Sequence, residues 1–120
     1  MSHLKEPVVI NFLAVDLNAN DYVLLYSTPY RFTFFANFYG GYGWIENDPA
    51  YLPSANTSYY IRNETSNTAI GRMDISTAGE FTFNSTDSAS VYIPAGSTIS
   101  ISSPATNGIG RFGVSLVGDR

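Results

Sequence analysis

The chain has 120 residues, a formal net charge of −4 and no cysteine; 44% of its residues are hydrophobic and 13% charged. That length suits one domain, and that balance excludes an extended disordered chain. Six scattered Lys and Arg residues offer no basic patch for phosphates, so nucleic acid is excluded as a partner, and the missing cysteines rule out disulfides and thiolate metal sites.

The first residues, with His3, Leu4, Lys5, Glu6 and Pro7, lack the unbroken apolar stretch of a signal peptide and read as an arm over residues 1–7. No window is long and apolar enough to cross a membrane as a helix, so a membrane is not an expected partner. Residues 8–118 read as a single domain. "VVINFLAV" is apolar at every second position on both faces, with Val8, Ile10, Phe12 and Ala14 on one and Val9, Leu13 and Val15 on the other. "YVLLY" repeats the pattern with Val23 and Leu25. A strand apolar on both sides needs two covers, and a two-layer sandwich supplies one. Val9, Leu13, Val15, Val23 and Leu25 are therefore the expected subunit interface. The polar "DLNAND" between these strands starts like a calcium loop but lacks its glycine and its closing glutamate, and reads as a turn. A different calcium site using Glu46 and Asp48 stays open at this stage.

"YRFTFFANFYGGYGW" alternates through Tyr30, Phe32, Phe34, Ala36 and Phe38, which predicts one strand over 30–39 with that face in the core. Gly40, Gly41 and Gly43 precede or interleave Tyr42 and Trp44 and read as backbone freedom, so the segment reads as an exposed loop. Tyr39, Tyr42 and Trp44 carry flat rings with polar tips, a type that holds sugars or anchors a protein partner. "NDPAYLPSAN" (47–56) is the expected place for a single turn of helix. Further strands are predicted near 58–63, 68–76, 79–84, 89–93, 97–102 and 109–117, separated by turn-rich "STAG", "NSTDSAS", "PAGS" and "SSPATNG". With 7–16 and 21–27 this gives an all-β chain of about eight or nine antiparallel strands with little or no helix. Phe32, Phe34, Phe81, Phe83, Ile99, Ile101, Phe112 and Val114 are expected to share its core.

Catalytic motifs are missing. His3 is the sole histidine, no G-x-S-x-G elbow occurs, and the acidic residues form no recognisable pair, so the chain reads as a non-enzyme without cofactor or metal. The sequons at Asn56, Asn63 and Asn84 match what an Asn-, Ser- and Thr-rich composition yields by chance.

"SVYIPAGSTISISS" (90–103) resembles hairpins of viral and bacteriophage jelly-roll and sandwich proteins, including fibre heads and small capsid decoration or cement proteins. "GRFGVSLVG" (110–118) resembles the last strand of trimeric sandwiches of the tumour-necrosis-factor and complement-C1q type. The resemblance covers roughly the last fifty residues and transfers no functional residue. It implies an antiparallel β-sandwich of jelly-roll type and a homotrimeric virion protein that decorates and braces a shell. The partners it implies are other copies of itself and a major capsid protein, and the location is the virion, assembled in the host cytoplasm. Under that reading His3, Leu4 and Lys5 form the attaching arm. The competing expectation is a receptor- or carbohydrate-binding sandwich that uses Tyr39, Tyr42 and Trp44 on a glycan.

Overall fold

The structure is a computed structural model and describes residues 6–15, 21–46, 51–103 and 111–120. Among these residues the chain forms ten strands: β1 (Pro7–Val15), β2 (Tyr22–Ser27), β3 (Phe32–Phe34), β4 (Tyr42–Ile45), β5 (Thr57–Asn63), β6 (Thr68–Ile75), β7 (Phe81–Ser85), β8 (Val91–Ile93), β9 (Thr98–Ser102) and β10 (Arg111–Asp119). The only helical pieces among them are 3-10 turns at Ala36–Phe38 and Thr86–Ser88.

The strands make two antiparallel sheets. One runs β1–β10–β3–β8, with β4 also paired to β10; the other runs β2–β9–β5–β6–β7. The pairs are nested: β1 with β10, β2 with β9, β3 with β8, and β5 with β6 as the innermost hairpin. This is the wrapping of a jelly roll, so the expected all-β sandwich of that type is the fold. Strand alternation puts one set of side chains between the sheets. Val8, Ile10, Phe32, Phe34, Tyr59, Ile61, Met73, Ile75, Ile93, Ile99, Ile101, Phe112 and Leu116 are buried there.

Six of the eight expected core residues are fully covered: Phe32, Phe34, Ile99, Ile101, Phe112 and Val114. Phe81 and Phe83 are only partly buried, because β7 is an edge strand of its sheet and its inner face lacks a neighbour on one side.

The predicted strand over 30–39 is broken. β3 ends at Phe34, the chain makes an excursion through the turn Ala36–Phe38, and β4 resumes pairing with the same edge of β10. Phe38 turns inward at φ 52°, a conformation unfavourable for a bulky residue, and is buried with its ring 5.0 Å from that of Phe34. Its space comes from Gly71, where a Cβ would lie within 2.4 Å of the Phe38 ring. The excursion is tied down by Asn37 and Ser85: the Asn37 amide donates to Ser85 Oγ at 2.8 Å, and the Ser85 amide donates to Asn37 Oδ1 at 3.1 Å.

Of the turn of helix expected at 47–56, the described part, Tyr51–Asn56, is not helical. Residues 47–50 lie outside the described residues, and Tyr51–Asn56 form turns and bends.

Candidate functional site

The glycine-rich segment expected as a loop is largely strand β4, and its alternation has a packing cause. Tyr42 and Trp44 point outward while Gly43 faces inward, where a Cβ would stand 2.2 Å from the Phe81 ring. Glycine lets Phe81 lie against the strand. A larger residue would push the two sheets apart.

Cross-strand register then assembles the outer face of the first sheet. Leu13, Gly113 and Trp44 form one row, Asn11, Ser115 and Tyr42 the next, and Val9 pairs with Val117 in the third, where Gly40 lies over the Val117 side chain. Val9 is 55% exposed, Leu13 71%, Tyr42 69% and Trp44 61%. In the middle row Ser115 Oγ donates to Asn11 Oδ1 at 2.5 Å. None of these nine residues carries a charge. Because Gly113 has no side chain, the space between Leu13 and Trp44 stays open. It forms part of a groove of about 300 Å³ lined by Asn11, Phe12, Tyr42, Trp44, Gly113, Val114 and Ser115. Among the described residues, charged groups flank the face at its ends and, beside β4, at Glu80, which lines a cleft with Tyr42 and Gly43. Arg111 lies 5.0 Å over the Tyr51 ring, and Arg120 lies 4.0 Å over the Tyr30 ring while its Nη1 reaches Glu6 Oε2 at 2.6 Å.

The structure thus brings together two groups that the sequence had kept apart: Val9 and Leu13, expected at a subunit interface, and Tyr42 and Trp44, expected at a ligand loop. Tyr39 is 81% exposed in the excursion just before them. The other expected interface residues go elsewhere. A bulge between Tyr22 and Leu24 breaks the alternation of β2, so Val23 packs against the core, whereas Leu25 faces solvent on the opposite sheet. The five residues are therefore not one patch. Val15 belongs to β1, but its side chain lies outside the described residues, as do His3, Leu4, Lys5 and Asp48.

No match to this chain exists among family models, curated proteins or solved structures.

Asn11, Gly113, Ser115 and Val117 were missed by sequence reasoning. The alternating "GVSLV" held the signal, but only the register with β1 and β4 assigns those residues to this face. Elsewhere the chemistry is sparse. Among the described residues no three His, Cys, Asp or Glu side chains lie together as a metal site. At the end of the sandwich where Glu6 and Arg120 meet, these two residues line a cleft of about 420 Å³ with Tyr30 and Arg31. The nearby Tyr26 hydroxyl is pushed above its ordinary range, chiefly by burial and then by its hydrogen bond with Tyr30. Asn63 of the middle sequon is buried, and its Oδ1 accepts the amides of Thr65 and Ser66, which makes it a turn residue.

Proposed function

We propose that this chain is a non-enzymatic structural protein of a virion, a homotrimeric decoration protein whose copies join through the outer face of β1, β10 and β4 and bind an assembled shell. The observation that carries the reading is that uncharged face. Its two rings alone leave about 300 Å² in water. With Val9 and Leu13 the patch reaches about 500 Å², in the upper part of the roughly 300–600 Å² spanned by the largest apolar patch of a soluble monomer, a patch that is often an interaction surface. The jelly-roll wrapping supports the virion part only by analogy, since viral capsid proteins and lectins both use it. A trimer that touches several shell subunits gains avidity from weak single contacts, and no chemistry is required of it. The end carrying Glu6 and Arg120 is the attaching end, since residues 1–5 lead into the sandwich there.

The groove over Gly113 favours a second reading, a carbohydrate site in which Trp44 and Tyr42 stack on a sugar while Asn11 and Ser115 hydrogen-bond to it. Mass in solution and retention on purified shells separate the two. The first reading requires a trimer that co-sediments with shells and raises their resistance to heat. A monomer that ignores shells and binds a glycan array would replace it with the second.

A further inference from the structure

The backbone edge of β1 differs from the other sheet edges. Exposed edges invite pairing with another chain, and proteins blunt them by shortness, bulges, charges or proline. Among the described residues the strands with an unpaired side are β1, β8, β4, β2 and β7, of which β4 has four residues. β8 has three residues and is followed by Pro94; β2 carries the bulge at Tyr22/Leu24; β7 has five residues and runs straight into a 3-10 turn. β1 has nine residues, pairs with β10 at all nine positions without a register shift, contains no charge, and has proline only at its first position. It is long, regular and unblunted.

The register fixes which backbone groups are open. The Arg120 amide donates to the Glu6 carbonyl at 2.9 Å, so Glu6 turns its carbonyl toward β10. By the alternation of an antiparallel ladder, Val8, Ile10, Phe12 and Ala14 also direct their backbone groups at β10. Val9, Asn11 and Leu13 therefore direct theirs away from it, and the same three residues present side chains on the uncharged outer face.

We infer that this edge pairs with β1 of a second copy, antiparallel about a twofold axis at Asn11. The strand is self-complementary in that arrangement. Asn11 meets Asn11 of the second copy, and Val9 meets Leu13 of the second copy, so each exposed aliphatic side chain gains an apolar neighbour across the axis. Two five-stranded sheets become one of ten strands, with a continuous uncharged outer face. The contact is isologous and closes on itself as a pair. It is independent of the face contact proposed above, and where both operate, trimers are linked through twofold contacts.

Cysteine scanning tests this directly, because the chain has no native cysteine. Across a hydrogen-bonded antiparallel pair the Cα atoms stand about 5.5 Å apart, within disulfide range. Asn11→Cys should give a covalent dimer on mild oxidation, whereas Tyr92→Cys, also exposed but on β8, should not. The link should persist in the Asn11→Cys/Trp44→Ala double variant, which separates edge pairing from the face contact. Asn11→Pro removes an amide that no strand among the described residues uses, so it should fold as the parent does and lose the pairing, seen as a halved mass in light scattering. Asn11→Cys that links no faster than Tyr92→Cys, a link that vanishes with Trp44, or a folded Asn11→Pro of unchanged mass each overturns the inference.

Discussion

Trp44→Ala probes the uncharged face most directly. The ring is 61% exposed in the single copy, so removing it should barely affect the fold of that copy. If copies join through the face, the ring is covered on association. A tryptophan side chain carries about 250 Å², so about 150 Å² leaves water. At about 25 cal/mol per Å² this is worth about 4 kcal/mol, close to three decades in dissociation constant; half coverage still leaves about thirtyfold. Sedimentation velocity over a concentration series reads this as a shift of the association midpoint, and the thermal midpoint of the dissociated protein serves as the folding control. An unchanged midpoint of association would refute the reasoning. So would a large drop in thermal stability at dilution, since it would make Trp44 a packing residue.

Phe34 is fully buried, with its ring 4.9 Å from Phe32 and 5.0 Å from Phe38, so Phe34→Ala should cost about 4 kcal/mol and lower the melting midpoint by roughly 15 °C. Phe81→Ala, at a partly covered edge position, should cost less than half as much in the same calorimetric comparison, and equal losses would contradict the placement of β7. For Tyr26, burial raises the folded-state pKa above the ordinary 10.0, so the folded protein holds this proton more tightly than the unfolded chain does. The resulting contribution is fully present below about pH 10 and is lost as pH rises through the folded value. Stability measured by urea titration should fall more steeply as pH rises above about 10 in the parent than in Tyr26→Phe, and identical slopes would refute the assignment.

Alternation located most strands to within a few residues because it reports the one property that a sandwich imposes everywhere, a covered side and an uncovered side. It failed where backbone conformation intervened. Phe35 and Phe38 belong to the same aromatic run, and nothing in hydrophobic spacing says that Asn37 and Phe38 adopt positive φ and take the chain out of the sheet. Gly41 and Gly43 read as freedom when their role is room: at both, the added Cβ would crowd neighbouring atoms. The bulge at Val23 moved one expected interface residue inward by a single-residue slip. The candidate face was half legible, since Val9, Leu13, Tyr42 and Trp44 each stood out alone. Their proximity depends on β10, which lies about a hundred residues from β1 in the chain and pairs with both neighbours.

That central place of β10 also governs the order of assembly. β1 and β4 take their ladder bonds from it, β3 is shared between it and β8, and Pro7 is partnered by Asp119, so the first sheet cannot close until its most distant segment arrives. Pairings so far apart in the chain make folding slow, because the entropy of closing the loop is lost before any contact is gained. During that interval β1 is a nine-residue apolar segment with both backbone edges open, and it is more vulnerable to off-pathway pairing than at any time after β10 docks. By contrast, the β5–β6 hairpin is joined by a short turn and needs nothing from β10. It is the natural nucleus, from which the nested pairs close outward to β1.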